Sequence, residues 1–348
     1  MIASPCLRFF LFKFRKVFYN PFVMRSVWSN ISERMQVGIA FNGAAEIGLR
    51  FALALVVLLV ARPCRGQDIE PRRWSHLPLD TNFLGVAYAY SSGDITLDPV
   101  LRIQDGQFDL QTIGVKYIRS FELLGKSARF DIIQAYQSGT WNGLVNGVPT
   151  EVARNGLADT SVRFAVNLIG APPLAGKEFA DYRAKADCET IVGMGLVVQL
   201  PTGQYYDDKL INLGSNRFAF RPQSGVVHNR GPWSGELTTA ATFFTANEDF
   251  FNGKRLRQDP VLSADANLIY TFSPGLWLAA SLGYGDGGIT IINGVANNDR
   301  QNNLGFGLSL GIPITRAMGV KLGYTGTRTH ARTGSDVDTF TCALSVMW

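Results

Sequence analysis

Residues 339–348 have the sequence TFTCALSVMW, and their apolar side chains recur at every second position. Phe340, Cys342, Leu344, Val346 and Trp348 form one face, while threonine, alanine and serine dominate the other. Successive residues of a β-strand point to opposite faces of a sheet, so period-two alternation is the sequence pattern of a strand. We therefore predict that the chain ends in a β-strand with one apolar face.

The same alternation continues through most of residues 81–348. Between 303 and 312, for example, leucine, phenylalanine and isoleucine alternate with asparagine, glycine and serine. Segments of this kind, long enough to cross a bilayer at a tilt, predict an all-β fold. The expected architecture is a transmembrane antiparallel β-barrel of about twelve strands, with ten to fourteen as the range. The predicted strands are 83–91, 108–119, 128–138, 158–169, 189–200, 216–226, 233–245, 259–272, 276–285, 302–312, 319–329 and 337–348.

Two features favour a membrane barrel over a soluble β-sandwich, which would show the same alternation. Long connections alternate with short ones, the usual arrangement of outer-membrane barrels. The C-terminal face, with Phe340, Leu344, Val346 and Trp348, resembles the assembly signal of outer-membrane proteins. These features predict the outer membrane of a Gram-negative-type cell, with membrane lipid and the barrel-assembly machinery as partners. The long connections expected outside are 92–107, 139–157, 201–215, 246–258, 286–301 and 330–336.

The connections expected inside are 120–127, 170–188, 227–232, 273–275 and 313–318. Only 170–188 breaks the rule that these connections are short. We expect it to carry a small helix or an excursion into the periplasm.

The composition fits a barrel and argues against nucleic-acid binding. Charged residues are 18% of the chain, and the mean hydropathy is +0.06. A barrel gives such intermediate values because only every second strand residue faces lipid. The net charge of +5 comes from the start of the chain, since residues 1–66 carry nine Lys and Arg against two acidic residues. Residues 67–348 carry 24 basic and 26 acidic groups, so no nucleic-acid partner is expected.

The beginning of the chain has the pattern of an exported protein. Residues 51–61, FALALVVLLVA, follow Arg50 and are too few to span a membrane, which takes about 20 apolar residues. A basic segment, a short apolar segment and small residues after it indicate a signal peptide. Cleavage is expected after Gly66, with Ala61 as the second candidate. The expected organisation is a mis-annotated or amphipathic extension at 1–34, a signal peptide at 35–66, a periplasmic lead-in at 67–80 and the barrel at 81–348.

Charged residues inside the predicted strands occupy positions that face the lumen. A charge facing lipid at mid-membrane would cost roughly 2–4 kcal/mol, so these side chains must point inward or lie at the interface. Their mixed signs allow two interpretations: they pair with one another and fill the lumen, or they line a polar channel and set its selectivity. The candidate lumen-lining residues are Lys116, Arg129, Asp131, Arg163, Arg217, Arg221, Glu236, Asp265 and Lys321.

The residues that carry chemistry form no catalytic, metal-binding or cofactor-binding pattern. His76, His228 and His330 fall in the lead-in, an inside turn and an outside loop, a spacing that does not predict a shared metal site. Beyond the leader the cysteines are Cys188 and Cys342, and no C-x-x-C pair occurs. His228 is followed by asparagine and arginine, unlike the His-x-Ser arrangement of outer-membrane phospholipases. We expect no enzyme activity, no metal and no cofactor.

Two short motifs resemble one family. Residues 156–159 (GLAD) open a strand, and residues 198–205 (VQLPTGQY) close the next. Their order and spacing resemble the outer-membrane proteins described as "putative MetA-pathway of phenol degradation", over most of residues 80–348. The resemblance implies a barrel for uptake of aromatic or other apolar small molecules, and it supplies no catalytic residue. The expected function is a passive outer-membrane channel or transporter for such small-molecule solutes. The alternatives are a structural or surface-interaction barrel acting through its extracellular loops, and an outer-membrane hydrolase.

Overall fold

The computed structural model describes residues 69–96, 103–145, 148–331 and 334–348. The extension expected at 1–34 and the signal peptide expected at 35–66 lie outside these residues. The described chain is mainly antiparallel β-strand, with helix α1 at Gly176–Lys185. No helix in this part of the chain is long and apolar enough to cross a membrane. The strands are β1 Asn82–Thr96, β2 Ile103–Leu123, β3 Lys126–Val145, β4 Val148–Leu157, β5 Thr160–Ile169, β6 Cys188–Leu200, β7 Ala219–Arg230, β8 Trp233–Phe244, β9 Asn247–Phe250, β10 Lys254–Gln258, β11 Val261–Ser273, β12 Leu276–Gly287, β13 Thr290–Ile292, β14 Val295–Ala296, β15 Gln301–Pro313, β16 Met318–Thr329 and β17 Gly334–Met347.

Twelve wall positions close into a barrel. Each wall strand pairs with its neighbour along the chain, and β17 pairs with β1, which joins the two ends of the sheet. β4 and β5 share one wall position, because both pair with β3 and only Ala158 and Asp159 separate them. The twelve-stranded antiparallel barrel predicted from the sequence is confirmed.

Each predicted strand corresponds to one wall position, but two predicted loops are wrong. Most of 92–107 belongs to β1 and β2, which are paired with each other well beyond the predicted strand ends. Most of 139–157 belongs to β3 and β4, which pair as far as Val145 and Val148. Backbone pairing continues past the segment that has one apolar face. Where both faces of a strand meet water, apolar alternation disappears although the strand remains.

The wall has an apolar outer face and a polar inner face. On β8, Glu236 and Thr238 are buried, whereas Leu237 between them is exposed. Outer leucines such as Leu262 and Leu308 are 61% and 54% exposed. Apolar surface in water is unfavourable by about 25 cal/mol per Å², so an outer face of this kind suits lipid.

The two ends of the barrel differ in their connections. At the short-turn end, the connections are two to four residues long, except that β5 and β6 are joined by 170–187, which contains α1. The helix predicted for this connection is therefore present. Gly275, between β11 and β12, has φ 84°, a left-handed conformation that glycine adopts without strain. At the long-loop end, 201–218 is one long connection, and β9, β10, β13 and β14 form a separate four-stranded sheet.

The last strand closes the seam of the barrel. Phe340 and Leu344 are 60% and 45% exposed on the outer face of β17, which lies between β16 and β1. The Trp348 N–H donates a hydrogen bond of 3.0 Å to the Asn82 carbonyl, and the Asn82 N–H donates one of 2.9 Å in return. The apolar face predicted for this strand is present, while its role as an assembly signal stays a prediction.

Candidate functional site

Residues 69–81, called the plug below, lie inside the barrel ahead of the first strand. Trp74 is only 2% exposed and contacts inward-facing side chains of the wall. The plug runs from Ile69, beside the inward face of Gly307 in β15, toward the short-turn end. There the Asp80 N–H donates a hydrogen bond of 3.2 Å to the Ser120 carbonyl. Most of the segment expected as a lead-in at 67–80 is therefore within the lumen.

A pair of glycines seats Trp74 against the wall. Gly193 of β6 and Gly225 of β7 are register partners, and a Cβ on either one would overlap the indole ring. The indole N–H donates a hydrogen bond of 2.9 Å to Thr238 Oγ1 on β8. The Arg163 guanidinium lies 4.8 Å from the ring centroid, within cation–π range. Shape, a hydrogen bond and a charge contact thus fix this side chain together.

Two wall guanidiniums bind the plug backbone at the Arg73 carbonyl. Arg129 Nη1 donates to it at 3.1 Å, and both terminal nitrogens of Arg163 donate at 3.3 Å. Asp131 holds the two arginines, since Arg129 Nε donates to its Oδ1 at 2.8 Å and Arg163 Nη1 lies 3.4 Å from its Oδ2. Buried charges are tolerated when they are paired and hydrogen-bonded, and here each charge has a partner, while Arg163 Nε alone of that guanidinium's nitrogens donates no hydrogen bond within the described residues.

The plug adds a carboxylate to the lumen. Lys116 Nζ donates a hydrogen bond of 2.8 Å to Glu70 Oε1. Burial would raise the pKa of the Glu70 carboxyl, but Lys116, Lys321 and Arg73 together hold that pKa well below its usual range. Glu70 is therefore charged at neutral pH and bound by the cations around it.

Arg72 fastens the plug to the opposite side of the barrel. Its N–H donates a hydrogen bond of 2.8 Å to Glu236 Oε2, and its Nη2 donates one of 2.9 Å to Thr271 Oγ1. Its guanidinium lies 4.9 Å from the centroid of the Trp277 ring. These partners belong to β8, β11 and β12, so the plug is held from both sides of the lumen.

The base of the plug rests against the connection that contains α1. His76 Nε2 lies 2.7 Å from the Pro172 carbonyl oxygen. The imidazole packs edge-on against Phe179 and Tyr182, with ring centroids 4.8 and 5.4 Å away. Glu189 Oε1 accepts a hydrogen bond of 2.9 Å from the Tyr182 hydroxyl and lies 3.6 Å from His76 Nδ1. Helix α1 therefore covers the base of the plug.

The predicted lumen-lining residues fall into groups by their relation to the plug. Asp265 is in register with Thr238, at the level of Trp74. Arg217 and Arg221 lie nearer the long-loop end, where Arg217 is 4.6 Å from the centroid of the Phe244 ring. Their effect on selectivity stays a prediction. Those that contact the plug or act electrostatically on it are Lys116, Arg129, Asp131, Arg163, Glu236 and Lys321.

The plug and its seat were not predicted from the sequence, because residues 69–81 have no alternating pattern. Two signals were nevertheless present. Arg72, Arg73 and Trp74 are consecutive in a segment that precedes the first strand. Gly193 and Gly225 stand at inward positions of predicted strands, where a glycine marks a place that another part of the chain approaches closely.

The two motifs that carry the family resemblance meet at Asp159. Its Oδ1 accepts a hydrogen bond of 2.9 Å from the Gly203 N–H. Its Oδ2 accepts from Gln199 Nε2 at 3.0 Å and from the Ser215 N–H and hydroxyl at 2.9 and 2.5 Å. One carboxylate thus fixes both ends of the 201–218 connection beside the break between β4 and β5.

The three histidines lie in separate parts of the barrel. His76 is in the plug, and His330 is at the long-loop end. His228 is on the outer face of β7, where its Nδ1 lies 2.9 Å from Thr190 Oγ1 and its Nε2 lies 3.8 Å from Cys188 Sγ. In the described part of the chain, no three His, Cys, Asp or Glu side chains are grouped to hold a metal ion.

A closed twelve-stranded barrel with an apolar outer face and a charged lumen defines a transmembrane β-barrel of the outer-membrane type. Residues 87–334 match the family described as "Putative MetA-pathway of phenol degradation". The chain belongs to this family. Its location is the outer membrane of a Gram-negative-type cell. No curated protein sequence matches it.

Comparison with solved structures gives the same fold. The COG4313 outer membrane channel from Pseudomonas putida F1 is similar with a TM-score of 0.68 and 19% identity, over 81% of this chain and 100% of that one. The transport unit of the autotransporter AIDA-I from Escherichia coli has a TM-score of 0.44 and 10% identity, over 81% and 92% of the two chains. The NanC porin has a TM-score of 0.40 and 11% identity, over 76% and 98%. The last two are too distant to carry an argument.

Proposed function

We propose that this barrel is a passive channel for small solutes, aromatic and apolar ones included, and that the plug restricts their passage. The observation that carries the proposal is the attachment of the plug. Residues 69–81 lie outside every strand, and side-chain hydrogen bonds and ion pairs hold them in the lumen. Such contacts can break while the wall ladder stays intact, so the lumen can widen without unfolding of the barrel.

The side chains around the plug favour passage of an amphipathic solute. Trp74, Trp277 and Phe244 present aromatic rings inside the wall, each with a guanidinium within 5 Å of its centroid. Binding sites for small organic molecules combine apolar and aromatic surface with a few placed polar groups. The family description, which refers to phenol degradation, agrees with an aromatic solute.

Solute entry into vesicles tests the proposal. Protein purified from outer membranes is placed in liposomes, and swelling is followed in benzoate and in arabinose. Trp74→Ala removes the seated side chain, and Trp233→Ala removes a tryptophan that is 49% exposed on the outer face. Benzoate should enter wild-type and Trp233→Ala vesicles alike and enter Trp74→Ala vesicles several-fold faster. Vesicles that stay impermeable to both solutes, Trp74→Ala included, would defeat the channel proposal.

The outer surface of the barrel indicates two partners. We propose that membrane lipid covers the apolar outer face and that the barrel-assembly machinery binds β17 through Phe340, Leu344, Val346 and Trp348. Phe340→Ser combined with deletion of Trp348 should lower the amount of protein recovered in the outer membrane. Cys342→Ser, on the same face, should leave the amount near that of the wild type. Equal recovery of all three would contradict the role of β17.

A surface-interaction role is a second candidate, favoured by the sheet of β9, β10, β13 and β14. This sheet lies at the long-loop end and exposes Val295 to 69%. Replacing 289–297 by a short glycine linker removes β13 and β14. If this role holds, cells that express the wild type should aggregate and cells that express the linker variant should not. Liposome permeability should be the same for both proteins. Unchanged aggregation would count against it.

A further inference from the structure

The plug is held against one part of the barrel wall. Its hydrogen bonds and ring contacts join it to β2, β3, β5, β6, β7, β8, β11 and β12. Around the barrel, β16, β17 and β1 lie between β15 and β2. Their inward residues, called the open face below, are the odd-numbered residues of 85–93, 319–327 and 335–345.

Water reaches the open face along the whole height of the wall. Every one of its residues is part-exposed, and Ser345 at the short-turn end is exposed. The cause is the space in the lumen and not the residue type, because Ala87 and Ala89 are part-exposed whereas the inward alanines Ala165 and Ala279 are 4% and 0% exposed. Neighbouring strands lie about 4.8 Å apart, so the spaces that touch neighbouring residues adjoin. A water-filled space thus runs beside the plug from one end of the barrel to the other.

Small side chains line this space. The open face consists of glycine, alanine, serine and threonine, apart from Lys321 and Val337. Ser91 Oγ of β1 and Thr339 Oγ1 of β17 lie 2.8 Å apart, so their hydroxyls form a hydrogen bond on the lumen side of the wall. Small residues leave room for a solute, and hydroxyl groups both donate and accept hydrogen bonds.

Lys321 gives the open face a positive charge. On the β2 side, Lys116 pairs with Glu70 of the plug at 2.8 Å, and these two side chains are 23% and 30% exposed. Lys321 acts on the same carboxylate electrostatically, and within the described residues it has no ion pair of its own. Two lysines therefore share one carboxylate, which leaves a net positive charge beside the water-filled space. A lysine beside a narrow passage attracts anions and repels cations.

We propose that solutes cross the barrel along the open face and that Lys321 sets a preference for small organic anions, carboxylates such as benzoate among them. Such solutes pass between the plug and β16, β17 and β1, and they pass more readily than cations of the same size. This inference rests on the proposed channel function, because it assigns the route and the selectivity residue of that channel.

Thiol modification during current recording tests the route. Ala89 of β1 lies on the open face, whereas Ala279 of β12 is an inward alanine that is fully buried. Each is changed to cysteine in the full chain that also carries Cys188→Ser and Cys342→Ser, and correct folding is checked by heat-modifiable mobility in gels. A sulfonatoethyl methanethiosulfonate reagent is then added to the protein in a planar bilayer. Ala89→Cys should lose most of its current, because the attached group occupies the passage, and Ala279→Cys should keep its current.

Ion selectivity and solute entry test the role of Lys321. The reversal potential in a KCl gradient gives the ratio of chloride to potassium permeability. This ratio should favour chloride in the wild type, fall several-fold in Lys321→Met and stay near the wild-type value in Lys321→Arg, which keeps the charge. Lys126→Met is the matched control, because Lys126 is an exposed lysine at the start of β3. In liposomes, Lys321→Met should slow the entry of benzoate several-fold and leave the entry of uncharged arabinose unchanged.

Other outcomes separate this inference from the channel function. A channel that conducts while Ala89→Cys keeps its current, or while both cysteine variants lose it alike, would overturn the route and leave the channel function standing. A permeability ratio in Lys321→Met equal to that of the wild type would overturn the role of Lys321. Absence of current in every variant would overturn this inference together with the proposed channel function.

Discussion

Gly193 of β6 and Gly225 of β7 lie directly opposite each other in the barrel wall, and the Trp74 indole occupies the space that their missing side chains leave. The wall is therefore shaped to receive a segment that is distant in sequence and outside the sheet. A glycine in a strand weakens it, because it has no side chain to pack and costs backbone entropy. Here the plug supplies the missing packing from within the lumen.

A side chain that fills the space between Gly193 and Gly225 should release the plug. Gly225→Val places a branched side chain where the indole lies, so Trp74 must leave its seat. Gly235→Val is the matched control, because nothing lies near the position of its Cβ. Plug exposure is measured as the rate of thiol labelling in detergent at Ser75→Cys, in the chain that also carries Cys188→Ser and Cys342→Ser. The rate should rise at least several-fold in Gly225→Val and stay near wild type in Gly235→Val; equal rates would show that the seat does not hold the plug.

Removing the acceptor of the Trp74 hydrogen bond should also loosen the plug. Thr238→Val keeps the shape of the side chain and leaves the indole N–H buried without a partner, at a cost of about 1–3 kcal/mol. Thr239→Val changes the neighbouring, outward-facing threonine. The labelling rate at Ser75→Cys should rise roughly 5- to 150-fold in Thr238→Val, the factor that this free energy implies. A rate in Thr238→Val no higher than in Thr239→Val would contradict the hydrogen bond's role.

Retention of the plug should depend on pH through Glu70. The surrounding cations lower the pKa of its carboxyl in the docked plug, so docking is stabilised above the pKa of a free carboxyl, about 4.3. That contribution is lost as the pH falls further, through the pKa of the docked state. The part of the conductance that depends on Glu70 should be flat between about pH 7 and pH 5 and rise under more acidic conditions. Glu70→Gln should lack the part of this rise that Glu70 causes; identical acid profiles would argue against the ion pair with Lys116.

Asp159 should fix the 201–218 connection without affecting the plug. Asp159→Asn keeps the size of the side chain but loses a charged acceptor of four hydrogen bonds, and hydrogen bonds to a charged group contribute about 1.5–3 kcal/mol each. Asp208→Asn alters an exposed carboxylate in the same connection. Limited proteolysis of intact vesicles should cut 201–218 faster in Asp159→Asn only. Labelling at Ser75→Cys should be unchanged in both variants, and faster labelling in Asp159→Asn would show that the two features are coupled.

The wall of the barrel was predictable from the sequence, and its contents were not. Strands such as β15 and β17 are recognisable in the sequence, because lipid on one face and a polar lumen on the other impose an alternation of period two. The same logic placed Lys116 and Arg163 on the inward face. It could not identify what they bind, because pairing across the lumen depends on contacts between residues far apart in the chain.

The sequence did not predict the plug, and the reason is physical. It has no regular structure, so its sequence shows no period, and its polar contacts resemble those of an ordinary soluble linker. Asp159 is a similar case, since the sequence marks it only as part of a motif. Its role appears when β5, β6 and the 201–218 connection come together in space.

The single-channel conductance of a variant that lacks residues 69–76 is the most direct test of the account. Deletion removes Glu70, Arg72, Arg73, Trp74 and His76 together and leaves all the wall strands unchanged. The deletion variant, recorded beside the wild type in planar bilayers, should form a folded barrel with a conductance several-fold higher. A folded deletion variant whose conductance equals that of the wild type would contradict the claim that the plug restricts the channel.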